Sequence, residues 1–165
     1  DDRLTINVEG ETDFWRVTLH DFIKDNGHFY SRSVTGDFTA TAKISGEYET
    51  LYDHTGLMLR RDEEVWLKCG VEYLDGVQQA TAVITREFSD WSVIPLEGDP
   101  ESIWIRVERI GETVEVYYSR DGQKYTLLRQ GYLTETDELR VGPMAAAPQG
   151  DGFQAVIEEF HVDAD

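Results

Sequence analysis

The chain has 165 residues, enough for one domain with a sizeable core, and its 40% hydrophobic and 12% aromatic content marks it as globular rather than disordered. Thirty-three acidic against fifteen basic residues leave a net charge of −18. That balance argues against nucleic acid and anionic membrane surfaces as partners, because like charges repel within a Debye length. No apolar run approaches the roughly 20 residues that span a bilayer, and the start, DDRLTINVEGE, has neither the basic nor the apolar region of a signal peptide. Only four of the fifteen basic residues are lysine, a surface compatible with high salt and equally with an ordinary acidic protein. Cys69 is the single cysteine, so an internal disulfide is excluded and a reducing, cytoplasmic setting is the expectation.

In chain order, residues 4–8 alternate as a first short strand. Phe14-Trp15-Arg16-Val17-Thr18 reads as a second, with Trp15 as a packing residue. Residues 20–28 read as a loop, punctuated by the turn signal Asn26-Gly27. Residues 37–48 alternate cleanly, Phe38, Ala40, Ala42 and Ile44 on one face and Thr39, Thr41, Lys43 and Ser45 on the other, as in a half-solvated antiparallel strand.

The stretch from His54 to Ser92 is the most informative. Asp75-Gly76 separates two alternating runs and signals a two-residue type I′ hairpin, whose central positions both need positive φ. Pairing Leu74 with Val77 puts Glu72 opposite Gln79, Lys68 opposite Val83 and Trp66 opposite Thr85. The other face then pairs Val71 with Ala80, Cys69 with Ala82 and Leu67 with Ile84. That face is uniformly apolar, and a slip of one residue would destroy the sorting. One hairpin earlier, a turn through Asp62-Glu63-Glu64 puts Arg60 opposite Trp66, Met58 opposite Lys68 and His54 opposite Glu72. An Arg60–Trp66 cation–π pair is expected from that register.

Further on, PLEGDPE is an acidic loop. Ile103, Ile105 and Val107 alternate inward, followed by Val114, Val116 and Tyr118, and Asp121-Gly122 marks another hairpin. Residues 125–132, 139–144 and 153–162 supply the last strands. Ten to twelve strands at this spacing, with no long amphipathic helix, linker or repeat, predict an all-β sandwich occupying residues 1–165 as one domain, best described as a two-sheet jelly roll.

Several segments, TDFWR at 12–16, DNGHF at 25–29, GLMLR at 56–60, WLKCGVEYLDGV at 66–77, SDWSV at 89–93, YSRDG at 118–122 and VGPMAAAPQGDGF at 141–153, carry a resemblance in order along nearly the whole chain. It is to the domain-of-unknown-function family that includes the regulation-of-enolase protein, within the concanavalin A-like lectin/glucanase superfamily. The resemblance implies a jelly roll of two antiparallel sheets with a concave face, and no settled activity. The chain departs from the family pattern at His20-Asp21, in place of an aromatic-glycine pair, and at His54, in place of glutamine.

The candidate binding face carries Arg60, Trp66, Lys68 and Glu72, with His28, His54 and Trp91 near it. An aromatic ring beside charged hydrogen-bonding groups is how a sugar is held. The plainer alternative is a set of cross-strand pairs on a solvated sheet. A glycosidase needs two carboxyls roughly 5–10 Å apart, and Glu72 is the only acid on the polar face, so no catalytic residue is assigned; Glu72 is the one candidate acid if the protein is an enzyme. Scattered histidines and unpatterned acidic loops exclude a recognisable metal site, and no cofactor motif is present. The sequence therefore favours a non-catalytic module binding a carbohydrate or small polar ligand. A protein–protein regulator of carbohydrate metabolism is the alternative, and a divergent glycoside-active enzyme the third.

Overall fold

A computed structural model describes residues 2–165. In chain order the strands are β1 (Arg3–Glu9), β2 (Phe14–Arg16), β3 (Ile23–Asp25), β4 (His28–Phe29), β5 (Arg32–Thr35), β6 (Phe38–Gly46), β7 (His54–Arg60), β8 (Val65–Leu74), β9 (Val77–Arg86), β10 (Phe88–Pro95), β11 (Ile103–Ile110), β12 (Thr113–Ser119), β13 (Thr126–Tyr132), β14 (Glu138–Ala146) and β15 (Gly152–Ala164). The expected ten to twelve strands are thus corrected to fifteen among the described residues. The extra ones are mainly β3, β4 and β5, which at 3, 2 and 4 residues are too short to show alternation. Residues 20–28, read as a loop, contain β3 and the start of β4.

Two antiparallel sheets form the jelly-roll sandwich. One has six strands in the order β1-β15-β6-β11-β12-β13; the other has seven, in the order β10-β9-β8-β7-β14-β4 with β5 also on β14. The inner faces meet in one core: Phe38, Ala40, Ala42, Ile44, Ile103, Ile105 and Val107 from the first sheet, and Leu57, Leu59, Leu67, Cys69, Val71, Ala80, Ala82 and Ile84 from the second. Alternation along each strand places these residues, since successive side chains point to opposite faces.

The Asp75-Gly76 turn sets the register. Its φ values are 50° and 81°, and every pair from Leu74–Val77 to Trp66–Thr85 forms as the turn chemistry dictates. The β7–β8 register likewise pairs Arg60 with Trp66, Met58 with Lys68 and His54 with Glu72. Cys69 is buried in the core, where its thiol, pushed up to about 12 by burial, donates to the Leu57 carbonyl.

A separate two-stranded hairpin, β2–β3, lies over the outer face of the seven-stranded sheet. Phe14 packs edge-on against Trp66, with ring centroids 6.2 Å apart, in a second apolar cluster with Met58, Val83 and Met144. Asn26 and Gly27 close the base of the hairpin by donating their N–H groups to the Asp13 carbonyl, at 3.1 and 3.2 Å. Position 27 must be glycine, because a Cβ there would stand 2.2 Å from the Phe14 ring. The hairpin is pinned to the sheet at its sides: the Arg60 guanidinium grips the Asp25 carboxylate at 2.6 and 2.7 Å, and the Arg16 N–H donates to Ser89 Oγ at 2.9 Å.

Candidate functional site

On the outer face of the seven-stranded sheet, strand β8 presents Trp66, Lys68 and Glu72, with Gly70 between the two charges. Gly56 on β7 stands directly opposite Gly70. A Cβ at position 56 would fall 1.8 Å from the Cys69 carbonyl oxygen, and one at position 70 would fall 2.0 Å from that of Thr55. No side chain therefore separates Lys68 from Glu72. Between the sheet and the hairpin, a cleft of about 230 Å³ opens above these residues. Its floor is Asp13, Lys68 and Glu72, all buried; its walls are Trp15, His20, Phe22 and Lys24 from the hairpin, Trp91 from β10, and Tyr52, Pro148 and Gln149 from loops.

The floor is a connected polar network. Lys68 Nζ donates to Asp13 Oδ1 at 3.2 Å, to the Phe14 carbonyl at 2.7 Å and to His54 Nε2 at 3.1 Å. Three acceptors use all three ammonium N–H groups, which a buried lysine requires. His54 Nδ1 lies 2.7 Å from the Tyr52 carbonyl, so that nitrogen carries the proton and Nε2 is left to accept from Lys68. Burial and the Lys68 charge push the imidazole down to about 3, against the pull of Asp13 and the Tyr52 carbonyl, so it is neutral. Burial pushes the Asp13 carboxyl up, but the Lys68 charge and the hydrogen bonds from Lys68 and the Phe14 N–H outweigh it and hold the group below the usual carboxylate range.

Glu72 is different. Trp91 Nε1–H donates to its Oε1 at 2.9 Å, and the Thr81 hydroxyl reaches the same oxygen at 3.4 Å. Burial pushes this carboxyl up to about 7; Lys68 and the two hydrogen bonds oppose the rise, and Asp13 adds to it. Among the described residues no donor reaches Oε2, yet that atom is not sealed from solvent. Glu72 is therefore a carboxyl with one oxygen fixed and one presented to the cleft.

The residues expected on this face do not all come together. Lys68, Glu72 and Trp91 come together at the cleft, and His54 lies beneath it, buried against Lys68. Trp66 is 0% exposed and does not line the cleft, because the hairpin covers it; its indole N–H donates to the Glu63 carbonyl at 3.1 Å. The Arg60–Trp66 cation–π pair does not form: Arg60 turns to Asp25, and the ammonium over the Trp66 ring is that of Lys68, 5.7 Å from its centroid. His28 lies away from the cleft, with Nε2 accepting from the Glu9 N–H at 2.9 Å.

Sequence reasoning missed Asp13, Trp15, His20 and Phe22. Trp15, read as packing, is a wall of the cleft; it meets the His20 ring edge-on at 6.0 Å, and His20 stacks on Phe22 at 5.5 Å. Nothing in the sequence pointed to the tip of the hairpin, where the structure shows Val17, Leu19 and Asp21 with φ values of 65°, 65° and 58° and no glycine among them, a strained turn of the kind that clusters at ligand sites. Among the described residues no group of three or more metal-ligating side chains lies together.

The chain as a whole matches a known family. Residues 1–164 match the family described as "Protein of unknown function (DUF1349)", and the chain belongs to it. It is 35% identical over 162 residues to the Regulation of enolase protein 1 of Saccharomyces cerevisiae, covering 98% of this chain and 82% of that one. A crystal structure of a functionally unknown protein from Saccharomyces cerevisiae superposes with a TM-score of 0.95 at 34% identity, over 99% of this chain and 89% of the other. A xylan beta-1,4-xylosidase from Bacillus halodurans shares the fold over 98% of this chain and 32% of its own, with a TM-score of 0.77 at 14% identity.

Proposed function

We propose that the protein is a non-catalytic binding module that takes a carbohydrate or similar small polar ligand in the cleft between the β2–β3 hairpin and the seven-stranded sheet. The observation that carries this reading is the pairing of aromatic walls, Trp15, Phe22 and Trp91, with a buried polar floor that leaves Glu72 Oε2 open. Rings of this kind pack on the apolar face of a sugar while a buried carboxylate reads its hydroxyls. Packing alone does not call for a buried lysine with three fitted acceptors, since an apolar residue of that size is cheaper to bury. Intrinsic fluorescence titration against a panel of sugars, polyols and sugar phosphates tests it. Saturable binding should be abolished by Trp91→Ala and retained by Trp104→Ala, whose indole lies on the other sheet. No saturable binding by any probe overturns the reading.

A second reading, a protein–protein regulator, is favoured by the hairpin tip, where Leu19 is 91% and Ile23 55% exposed beside the cleft. The name of the yeast relative points to enolase as the partner to try. Surface plasmon resonance with enolase should then show binding lost in Leu19→Asp; equal binding by the variant, or none by either, contradicts it. For both readings we place the protein in the cytoplasm, supported by its single, buried, unpaired cysteine; no helix among the described residues is long and apolar enough to cross a membrane.

A further inference from the structure

The chemistry of the cleft floor narrows the ligand. This step rests on the small-ligand reading above. Every donor at the floor is already engaged. The three N–H groups of Lys68 go to Asp13, Phe14 and His54, the Trp91 N–H goes to Glu72 and Thr81, and the Thr81 hydroxyl goes to Glu72 or the Ser92 carbonyl. With Glu72 ionised, what the floor still offers is acceptors. Asp13 takes Lys68 and the Phe14 N–H on Oδ1, and Glu72 takes Trp91 and Thr81 on Oε1. Neither Asp13 Oδ2 nor Glu72 Oε2 has a donor among the described residues, and neither is sealed.

An acceptor-only floor selects a ligand that presents donors downward. Above the Glu72 midpoint of about 7, two carboxylates repel an anionic group there. A cation at the same place would meet Lys68 in the floor and Lys24 in the wall. The volume, about 230 Å³, is below the roughly 300–1,000 Å³ of sites for drug-sized molecules, which leaves room for a single ring and not for a chain of them. We propose that the ligand is one uncharged polyhydroxyl ring, a free monosaccharide, a cyclic polyol or the terminal residue of a glycan, that donates hydroxyl protons to Glu72 Oε2 and Asp13 Oδ2 while its apolar face packs on the indoles of Trp15 and Trp91.

Binding of this kind is linked to the proton on Glu72, which Lys68 and Asp13 flank in the floor, with His20, Lys24 and Tyr52 in the walls and His54 behind Lys68. The ionised carboxyl is the better acceptor, so the ligand favours the deprotonated form and affinity falls as the pH drops below about 7.

Isothermal titration with glucose, galactose, mannose, xylose, arabinose and myo-inositol, set against their uronates, phosphates and amino derivatives and against linear oligosaccharides, tests the assignment. At least one neutral ring should bind. Its uronate or phosphate should bind at least tenfold more weakly, and a longer chain no more tightly than its terminal residue. Glu72→Gln should weaken binding of the neutral ring by about tenfold or more at pH 8 and remove the dependence on pH, while keeping the wild-type melting temperature or exceeding it. If an anionic, cationic or polymeric probe binds best, or if Glu72→Gln binds the neutral ring as tightly as wild type, this inference fails and the small-ligand reading stands. If no probe of any class binds, both fail.

Discussion

The outer faces of the two sheets are written in the same residue alphabet and end in opposite states. On the six-stranded sheet, Lys43, Trp104, Arg106 and Tyr117 stand half-exposed, with Lys43 Nζ 5.1 Å from the Trp104 centroid and the Arg106 guanidinium 4.5 Å from that of Tyr117. On the seven-stranded sheet, Trp66, Lys68 and Glu72 are buried to within a few per cent. The strands do not cause the difference; the cover does. The segment ahead of β2 is fastened to the far end of β14 by Thr12, whose N–H donates to the Ala147 carbonyl at 3.1 Å and whose Oγ1 accepts from the Ala147 N–H at 2.9 Å. From that anchor the hairpin lies across β8. Once covered, each polar group needs a partner, because an unpaired buried charge costs several kcal/mol while an exposed pair contributes little. A sheet face becomes a site when something roofs it.

The contrast is broken most severely at Lys68. Lys68→Met leaves the Asp13 carboxylate buried without its cation and should cost about 3–5 kcal/mol at pH 7, measured by urea denaturation. The loss should shrink at low pH, where Asp13 is protonated. An unchanged stability would mean that the floor is not dry.

His54 should make the fold sensitive to acid. Its folded value, about 3, is lower than the 6.5 of the unfolded chain, so the unfolded state binds the extra proton between those values and stability falls as pH drops through that window, by up to about 5 kcal/mol. His54→Gln keeps an acceptor for Lys68 and a donor for the Tyr52 carbonyl, and should flatten the stability–pH curve below pH 6.5. An equally steep curve in the variant would place the sensitivity elsewhere.

Glu72 acts with the opposite sign. Its folded value, about 7, exceeds the ordinary 4.5, so the folded state holds the extra proton and stability declines as pH rises from about 4.5 to 7, by at most about 3 kcal/mol. Thermal melts should show Glu72→Gln more stable than wild type at pH 8 and indistinguishable from it near pH 4.5. A destabilised variant at pH 8 would mean that the carboxylate is held by favourable contacts instead.

The hairpin clamp is a smaller effect. Asp25→Asn removes the charge that Arg60 grips on both nitrogens and should cost about 1 kcal/mol, seen as faster hydrogen exchange in the hairpin with exchange in β8 and β9 unchanged. Least of all, Lys43→Ala on the solvated face should change stability by no more than about 0.5 kcal/mol.

How much of this could be read from the sequence follows the same division. Register was legible because Asp75-Gly76 is a local signal and one misplaced residue would turn the apolar face outward. Lys68 and Glu72 could be assigned to a shared face by counting. The roof was not legible. Asp13 meets Lys68 across 55 positions of sequence, and β2 and β3 are three residues each, too short for a periodic signal. Without the roof, Trp66 reads as presented and Arg60 as its partner; with it, Trp66 becomes the packing surface for Phe14 and Arg60 the clamp on Asp25. Trp15 suffers the reverse error, because a tryptophan in a strand fits a core and a cleft wall equally well.

The roofed polar floor is the claim on which the rest depends, and Glu72 reports it directly. Its side-chain carboxyl carbon can be titrated by NMR in the full chain without added ligand. A roofed floor predicts a midpoint near 7, sharing its pH range with a shift of the Trp91 indole N–H that is bonded to it. A midpoint near 4.5 with no response at Trp91 would mean a solvated carboxylate on an open sheet, and would contradict the account.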